Sequence, residues 1–364
     1  MVGDRVVVGM SGGVDSSVAA ALLVEQGYEV VGVTLRVWPW RGADEPATRF
    51  GSCCSPATVD DARTVARALG IAYYLLNTEE EFDRTVISDF TGAYRAGRTP
   101  VPCVVCNRDV KFGSLLRRAR AWEASAVATG HYARITRDDA SGQFWLWRGV
   151  DTAKDQSDFL WPLSQEQLAA ARFPVGSLTK PEVRARARAL GLVTADKPES
   201  QEICFVPEGD YRDFLRRREP AMFASGPILD STGKRVGTHG GLANYTVGQR
   251  KGLGLTTSRP HYVTHLDPER NAVVVADAAA LECDRLTASQ ANFIGWPPPA
   301  APTRVRAKIR HSHDPAPAVV HAIERDRIEV VFDQPQRAIT PGQSVVLYDG
   351  DRVLGGAVID RRAA

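Results

Sequence analysis

Small and polar residues follow an apolar run near the start of the chain, in the stretch G-M-S-G-G-V-D-S-S of residues 9–17. Residues 6–8 are all valine and predict a buried strand, and residues 15–26 have the composition of a helix. The N-terminus of a helix binds anions, because its backbone N–H groups and the positive end of its dipole face the ligand. Gly12 and Gly13 allow the backbone to approach a phosphate closely. The stretch therefore predicts a phosphate-binding loop.

Asp15 is an unusual residue for such a loop, since it adds negative charge beside a phosphate. Its carboxylate is useful if Mg²⁺ bridges it to the phosphates, or if it caps the helix. The loop has no lysine, so it matches neither G-x-x-x-x-G-K-[ST] nor G-x-G-x-x-G. The alternative is a tight turn that caps a helix and binds nothing.

The six cysteines indicate a second kind of chemistry. They form a C-x-x-C pair, an adjacent pair and two single residues: Cys103 and Cys106, Cys53 and Cys54, Cys204, and Cys283. A C-x-x-C pair can hold zinc, an iron–sulfur cluster or a redox couple. Zinc is disfavoured, because adjacent cysteines chelate poorly and histidines at metal-ligand spacing are lacking. An iron–sulfur cluster on Cys103, Cys106 and Cys204 is one alternative.

Sulfur transfer through a persulfide is the other alternative for these cysteines. One cysteine would carry the persulfide, and a second would release its sulfur by forming a disulfide. The reaction needs a thiolate, and therefore a cysteine with a lowered pKa. Cys106 is predicted at the start of a helix with Arg108 and Lys111 close in sequence, and both features favour a thiolate.

Composition and element order describe the scaffold for these groups. The chain has 364 residues, 44% hydrophobic residues and a net charge of +2, which predicts two or three domains. No apolar run approaches the roughly 18–20 residues of a membrane span, and the N-terminus lacks a signal-peptide core. We therefore expect a cytoplasmic protein, in which structural disulfides are disfavoured.

Strands and helices are predicted to alternate in the first half of the chain. The strands lie at 5–10, 28–38, 71–77 and 125–135, the helices at 15–26, 60–69, 79–95 and 107–122, and a loop at 41–56. This order predicts an α/β fold with a doubly wound parallel sheet. Short strands and Gly-rich turns after about residue 205, with a Pro-rich break at 294–302, predict a small central domain and a C-terminal β-barrel. The predicted domains are 1–205, 206–293 and 294–364.

Longer motifs resemble those of a known family. They are G-M-S-G-G-V-D-S-S-V-A-A, C-C-S-P-A-T-V-D-D-A-R, G-R-T-P-V-P-C-V-V-C-N-R-D-V-K-F-G, V-A-T-G-H-Y-A-R-I, K-D-Q-S-D-F-L, K-P-E-S-Q-E-I-C-F-V-P, Y-T-V-G-Q-R-K-G-L-G and Y-V-T-H-L-D. Together they resemble bacterial tRNA-specific 2-thiouridylases of the PP-loop ATP pyrophosphatase superfamily, from end to end. The resemblance implies an adenine nucleotide alpha-hydrolase-like domain at 1–205. It also implies that ATP activates the wobble uridine of tRNA at O2, and that persulfide sulfur then replaces that oxygen.

The resemblance also implies site residues. The ATP phosphates would lie on Gly9, Met10, Ser11, Gly12, Gly13, Val14, Asp15 and Ser16, with the adenosine between Leu35 and Gly130. Cys106 would be the nucleophile and Cys204 the persulfide carrier. The target base would meet Val101, Pro102 and Cys103, and tRNA would touch Lys154, Asp155, Gln156, Arg310 and His311. ATP, Mg²⁺, tRNA and a persulfide carrier protein of a cysteine desulfurase relay are the implied ligands and partners of a monomer that does not contact a membrane.

Two positions depart from the family pattern. Val101 stands where the family usually has Asn, and Cys103 stands where some members have an Asp proposed as an acid/base. Cys103 would have to take that role, or another group would, or Cys103 would serve a cluster.

Basic residues supply a separate argument for RNA. Arg304, Arg306, Lys308 and Arg310 alternate with apolar residues, which predicts four cations on one face of a strand. That face would follow an RNA backbone or would simply be solvated. His131 would either contact the ligand or have a structural role. Two other functions stay open at this point: a PP-loop ligase or amidotransferase with a small acceptor, and a non-catalytic RNA-binding or iron–sulfur protein.

Overall fold

The computed structural model describes residues 4–39, 55–199, 203–206, 210–255, 259–324 and 326–362. The predicted loop at 41–56 lies largely outside these residues, as do Cys53 and Cys54. In chain order the helices of the described part are α1 (Val14–Glu25), α2 (Pro56–Ala68), α3 (Glu79–Phe82), α4 (Ser88–Arg95), α5 (Pro102–Val105), α6 (Leu115–Ala121), α7 (Gln165–Ala170), α8 (Lys180–Ala189) and α9 (Tyr211–Arg218).

The strands of the first half are short. They are β1 (Arg5–Gly9), β2 (Glu29–Arg36), β3 (Ala72–Asn77), β4 (Ala126–Ala128), β5 (Ala133–Arg137), β6 (Phe144–Arg148) and β7 (Ala171–Arg172). The later strands are β8 (Gly226–Leu229), β9 (Arg235–His239), β10 (Tyr262–Asp267), β11 (Ala272–Ala276), β12 (Glu282–Phe293), β13 (Thr303–Lys308), β14 (Ala316–Glu324), β15 (Arg327–Arg337), β16 (Ser344–Asp349) and β17 (Arg352–Arg362).

The chain divides into two compact units. The first contains Met1–Val86, Cys103–Gly209 and Asp351–Val353, and the second contains Ile87–Pro102, Asp210–Gly350 and Leu354–Ala364.

A parallel sheet in the order β3-β2-β1-β4-β7 forms the centre of the first unit. Val6, Val7 and Val8 of β1 are fully buried, because helices cover a parallel sheet on both faces. The strand order reverses between β1 and β4, and ligands of such sheets bind at the carboxyl ends of the strands at this point. The predicted doubly wound sheet is confirmed, and its reversal point lies where β1 runs into the Gly-rich loop.

Four predicted elements in the first half of the chain differ in detail from the structure. The helix expected at 60–69 begins at Pro56, because Ser55 caps it by accepting a hydrogen bond from the Thr58 N–H. The strand expected at 125–135 is two strands, β4 and β5, which belong to different sheets. The helices expected at 79–95 and 107–122 contain π-helical turns at Asp83–Ile87 and Cys106–Ser114.

The second unit has a four-stranded sheet and a barrel. The small sheet has the order β10-β11-β8-β9, and strands β12, β15, β14, β13, β16 and β17 close into a barrel through pairing of β12 with β17. Alternate barrel residues such as Val305, Val320 and Ile328 point inward and form its core. The predicted barrel is confirmed, and it includes a strand, β12, that precedes the Pro-rich stretch. No helix in the described part of the chain is long and apolar enough to cross a membrane.

Candidate active site

The Gly-rich loop joins β1 to α1 and is held by its own serines. The Ser11 N–H donates to Ser16 Oγ at 3.2 Å, and the hydroxyls of Ser16 and Ser17 donate to Gly13 O at 3.1 and 2.8 Å. These bonds fix the first turn of α1 without a side-chain cap at Gly13. Within the described residues the N–H groups of Gly12 and Gly13 have no acceptor. They are therefore free to bind an anion at the helix start.

Two glycines are required by the close packing around this loop. Gly12 has φ +68°, and a Cβ there would lie 2.1 Å from Thr58 O. A Cβ at Gly130, after β4, would lie 2.6 Å from Ser16 N and 2.7 Å from Asp15 C. The Gly130 backbone therefore packs directly on the start of α1. Its predicted role beside adenosine, like that of half-buried Leu35 on β2, stays a prediction.

Asp15 is bound by a lysine that lies far away in sequence. Lys180 Nζ lies 2.8 Å from each Asp15 carboxylate oxygen, and the Tyr132 hydroxyl donates to Asp15 Oδ1 at 2.7 Å. Burial raises the pKa of Tyr132, and the Asp15 charge and hydrogen bond raise it further, so the phenol stays protonated. Asp15 therefore does not cap α1, whose N-cap is Gly13.

Lys180 also bridges Asp15 to a second carboxylate. Its Nζ lies 2.9 Å from Glu199 Oε1, and Lys154 Nζ lies 2.7 Å from Glu199 Oε2. Burial alone would raise the pKa of Glu199, but hydrogen bonds from Lys154 and Lys180 and the charges of both lysines lower it to about 2. Glu199 is thus a carboxylate between two ammonium groups at neutral pH.

A second lysine lies against the loop itself. Lys197 Nζ donates to Gly12 O at 2.9 Å and to Asp61 Oδ2 at 2.5 Å. Arg184 fixes the turn that carries Lys197, because its guanidinium donates to the carbonyls of Ala195 and Lys197. The sequence showed a loop without lysine, whereas the folded site has two. Only the capping-box spacing of Thr179 and Glu182, which predicts a helix starting at Lys180, hints at one of them.

The predicted Mg²⁺ at Asp15 does not fit this arrangement. Both Asp15 oxygens contact the Lys180 ammonium, so the lysine already supplies the positive charge that the metal was expected to supply. Among the residues described, no group of three or more His, Cys, Asp or Glu side chains is arranged to hold a metal ion. We therefore derive no step through Mg²⁺.

Cys106 lies one turn inside a helical run rather than at its start. The run begins at Pro102, and Cys106 is the first residue of the π-helical turn. The prediction that Cys106 starts a helix is wrong, because Pro102 favours the first helical position and begins the helix before Cys106. Arg108 forms a bidentate ion pair with Asp109, at 2.8 Å for both bonds, so its charge is balanced locally.

Side chains from neighbouring elements support the π-helical turn. Gln167 Nε2 donates to the carbonyls of Arg108 and Phe112 at 2.8 and 3.0 Å. Buried Asn107 donates to Phe159 O at 3.1 Å. Because π-helical turns recur at functional sites, this support favours a precise position for the adjacent, half-buried Cys106.

Cys204 lies on a short segment anchored in the core of the same unit. Phe205 is fully buried, and its ring packs edge-on against Phe82 with ring centroids 5.7 Å apart. The Val206 N–H donates to Ile203 O at 2.9 Å, which closes a turn around half-buried Cys204. The assigned roles of Cys106 and Cys204 stay predictions.

The segment predicted to meet the target base has mixed exposure. Cys103 is exposed, Val101 is half-buried and Pro102 is buried. His131 lies after Gly130 and is buried, with Nδ1 2.6 Å from Thr129 Oγ1 and its ring packed edge-on against Phe173. Burial, and then the charge of Lys111, lower the pKa of His131 well below its usual value. These contacts favour a structural role for a neutral His131.

The three residues expected to touch tRNA in the first unit make internal bonds. Asp155 is buried and accepts hydrogen bonds from Arg148, the Gly149 N–H and Ser157. Gln156 Oε1 accepts a bond from the Tyr132 N–H, and Lys154 binds Glu199. Asp155 is therefore a poor candidate for an RNA contact, because its carboxylate is already used. The contacts at Lys154 and Gln156 stay predictions.

The predicted face of four cations on β13 is wrong. Lys308 is buried, and exposed Arg304 forms a bidentate pair with Asp333, at 2.7 Å for both bonds. The Arg304–Asp333 pair and the burial of Lys308 both depend on how the barrel closes. The alternation of residues in the sequence does not reveal that closure. Arg310, at the end of the run, donates to Arg337 O, and the tRNA contact of Arg310 and His311 stays a prediction.

The parallel sheet and its switch-point loop define an α/β domain, and the family models assign it to the HUP type. Family models match along the chain: "tRNA methyl transferase HUP domain" at residues 4–208, "tRNA methyl transferase PRC-barrel domain" at 212–277 and "Aminomethyltransferase beta-barrel domain" at 283–359.

Comparison with known proteins identifies the family to which the chain belongs. The chain is 53% identical to the tRNA-specific 2-thiouridylase MnmA of Symbiobacterium thermophilum, over 99% of this chain and 93% of that protein. It is 52% identical to the MnmA of Heliobacterium modesticaldum, over 98% and 93%. The chain belongs to the tRNA-specific 2-thiouridylase family, whose members are tRNA sulfurtransferases. A solved 4-thiouridine synthetase–RNA complex with bound ATP is a more distant likeness, at 17% identity and a TM-score of 0.37, covering 60% of this chain and 50% of that one.

Proposed function

We propose that the chain uses ATP to convert the wobble uridine of tRNA to 2-thiouridine. The observation that carries the proposal is the Gly12–Gly13 loop at the sheet's reversal point, with Lys180 and Lys197 beside it. Family membership supports the acceptor, since the relatives are named for 2-thiolation of tRNA. Cys106 and Cys204, in the same compact unit, support the sulfur chemistry.

The loop would hold the phosphates of ATP as substrate. The N–H groups of Gly12 and Gly13 would donate to phosphate oxygens, at the positive end of the α1 dipole. Lys180 and Lys197 would neutralise the charge that grows on pyrophosphate as it leaves. Leu35 and Gly130 would flank the adenosine.

Activation solves the main chemical difficulty, because oxide is a poor leaving group at the uracil C2. In the proposed step O2 attacks the α-phosphate, the bond between the α- and β-phosphates breaks, and pyrophosphate leaves. The base then carries AMP on O2. Since C2 must meet two reagents in turn, the base has to leave its stack, and a closed site protects the adenylate from water.

The sulfur step would balance without an outside oxidant. The Cys106 thiolate attacks the inner sulfur of the Cys204 persulfide, forms a Cys106–Cys204 disulfide and releases hydrosulfide. Hydrosulfide attacks C2, the C2–O bond breaks, AMP leaves and the C2=S bond forms. In the alternative route, the Cys204 persulfide attacks C2 directly, and Cys106 then attacks Cys204 Sγ to release the sulfur on C2 and form the Cys106–Cys204 disulfide. A thiol reductant must return two electrons before the next cycle.

Val101, Pro102 and Cys103 would contact the flipped base in this scheme. Exposed Cys103 would take the place of the acid/base Asp found in some relatives, or the step would proceed without one. The sulfur would come from a persulfide carrier of a cysteine desulfurase relay, and the enzyme would act as a cytoplasmic monomer on one tRNA.

Pyrophosphate release tests the activation step. Purified protein is mixed with ATP, Mg²⁺ and unmodified tRNA that has uridine at the wobble position, and pyrophosphate is measured with and without a persulfide donor. The same tRNA with cytidine at that position is the control. We expect release only with the uridine tRNA. Release without RNA would instead support a PP-loop ligase with a small acceptor, and binding without release would support a non-catalytic protein.

A further inference from the structure

The turn at residues 248–250 holds an arginine beside a tyrosine in the second unit. The Gly248 N–H donates to Val263 O at 2.8 Å, and the Val263 N–H donates to Gln249 O at 2.9 Å. These two bonds fix Arg250 next to Tyr262, which precedes Val263 on β10. Arg250 is exposed and Tyr262 is half-buried, so both can be reached from solvent.

One arginine of the barrel contacts this tyrosine, and a second arginine contacts the first. The Arg337 Cζ lies 5.0 Å from the centroid of the Tyr262 ring, and the Arg310 guanidinium donates to Arg337 O. The residue after Arg337 also packs on the turn, since a Cβ at Gly248 would lie 2.9 Å from Ala338 Cβ. Arg310 and Arg337 are therefore joined by a hydrogen bond, and Arg337 lies beside the turn that carries Arg250.

Electrostatics show that this cluster has excess positive charge. Hydrogen bonds from Arg337 and Arg250, together with their charges, lower the pKa of Tyr262. Burial, and then the charge of Arg337, lower the pKa of Arg310. Among the described residues no carboxylate lies at ion-pair distance from Arg250, Arg310 or Arg337.

Two other exposed arginines of the barrel are paired with carboxylates, unlike the arginines of this cluster. Arg304 binds Asp333 at 2.7 Å, and Arg285 binds Glu329 at 3.3 Å. Glu282 lies opposite Arg337 in the β12–β15 register, yet it forms no ion pair with it in the described structure. Arg337 turns toward Tyr262 instead, so its charge remains available to a ligand.

We propose that Arg250, Arg310 and Arg337 form a binding site for a phosphate group of an RNA backbone, with the Tyr262 ring packed against Arg337. Guanidinium groups match phosphate geometry and bind it through paired, charge-assisted hydrogen bonds. The proposal rests on the proposed function, which supplies tRNA as the polyanion. The exposure of Arg250 and Arg337 suits a backbone that approaches from solvent.

The test measures tRNA affinity as a function of salt. Fluorescence anisotropy of end-labelled tRNA is recorded for wild type, Arg250→Gln, Arg337→Gln and the double variant. We expect each single variant to weaken binding about three- to tenfold at about 0.1 M salt, and to reduce the slope of log K against log[salt] by about 1. The double variant should lose about 2 in slope.

Two further variants separate charge from structure. Arg304→Gln removes an exposed barrel arginine that Asp333 already neutralises, and it should leave both affinity and slope unchanged. Tyr262→Phe keeps all three guanidinium groups but removes the hydroxyl to which Arg250 and Arg337 donate hydrogen bonds. It should weaken binding about two- to threefold with an unchanged slope, because no charge is lost.

The outcomes separate this site from the proposed function. Wild-type affinity and slope in the double variant, or equal losses in Arg304→Gln, would overturn the phosphate site, and so would a wild type that binds no RNA. A wild type that binds tRNA and forms no thiouridine would overturn the proposed function, while the comparison of variants still decides the site.

Discussion

Lys180 is the residue on which the electrostatics of the loop depend. Its ammonium group contacts Asp15 and Glu199, and its side chain is only 9% exposed. Two carboxylates around one lysine keep the local charge near balance before ATP binds, since Lys154 supplies the fourth charge. Bound phosphates would add negative charge beside Asp15, so the lysine is needed most during the reaction.

Lys180→Met should lower tRNA-dependent pyrophosphate release at least about tenfold, because one cation at the leaving group is lost. It should also destabilise the fold by about 1–2 kcal/mol, since Asp15 and Glu199 are left half-buried without their shared partner. Steady-state kinetics and urea unfolding measure the two effects. Lys234→Met, in the exposed turn after β8, is the control and should change neither. Unchanged kinetics in Lys180→Met would remove this lysine from the site.

Glu199 predicts a particular pH dependence of stability. Its pKa falls from an ordinary 4.5 to about 2 in the folded protein, so folding favours the carboxylate. The stabilisation is complete above about pH 5 and disappears as the pH falls through 2. The free energy of unfolding of wild type minus that of Glu199→Gln should therefore be constant from pH 8 to about pH 5 and shrink below it. A difference that grows on acidification would contradict the assigned pairing.

At the scale of elements, the junction of β1, the loop and α1 is the rigid part of the site. Gly12 has a positive φ and lies against α2, whose Thr58 carbonyl leaves no space for a side chain. Gly70 has the same φ of +68° but has no atom within 4 Å of the Cβ position. A comparison of substitutions at Gly12 and Gly70 therefore separates the effect of the close contact on stability from the effect of the backbone conformation.

Gly70→Ala should cost about 1 kcal/mol of unfolding free energy, from the left-handed conformation alone. Gly12→Ala should cost more, about 3 kcal/mol or above, and should abolish pyrophosphate release because the loop must shift. Thermal unfolding and pyrophosphate assays of both variants provide the comparison. Equal costs with retained activity in Gly12→Ala would show that the loop adjusts without loss.

Local sequence patterns were sufficient for part of this architecture. The valines of β1, the glycines after it and the helix-forming residues of α1 are contiguous, so their pattern predicted a strand, a loop and a helix in the right places. The partners of the loop are not local: Lys180 meets Asp15 across 165 residues, and Lys197 meets Gly12 across 185 residues. No periodicity in the sequence indicates such contacts.

The wrong predictions for β13 and for Cys106 have the same physical origin. Lys308 reads as an exposed cation in an alternating strand, but its burial depends on how the barrel closes. The π-helical turn at Cys106 depends on Gln167, whose side chain satisfies the carbonyls of Arg108 and Phe112. Tertiary contacts determine both the burial of Lys308 and the π-helical turn. The local helix and strand propensities of the sequence cannot predict either.

At the scale of the whole molecule, the chemistry and the proposed phosphate site are expected in different units. The loop, both lysines, Cys106 and Cys204 belong to the first unit, whereas the arginine cluster around Tyr262 belongs to the second. This division predicts that variants of the arginine cluster change tRNA affinity, and that variants of the cysteines change sulfur transfer. The central claim is that both cysteines are needed to place sulfur on the wobble uridine.

Nucleoside mass spectrometry tests that claim most directly. Unmodified tRNA is incubated with ATP, Mg²⁺ and a persulfide donor, together with wild type, Cys106→Ser, Cys204→Ser or the control Cys283→Ser. Cys283 lies on a barrel strand, where its thiol donates to Arg285 O. We predict 2-thiouridine with wild type and Cys283→Ser and none with the other two. Thiouridine formed at the wild-type level by Cys106→Ser or Cys204→Ser, or none with wild type while pyrophosphate is still released, would contradict the account.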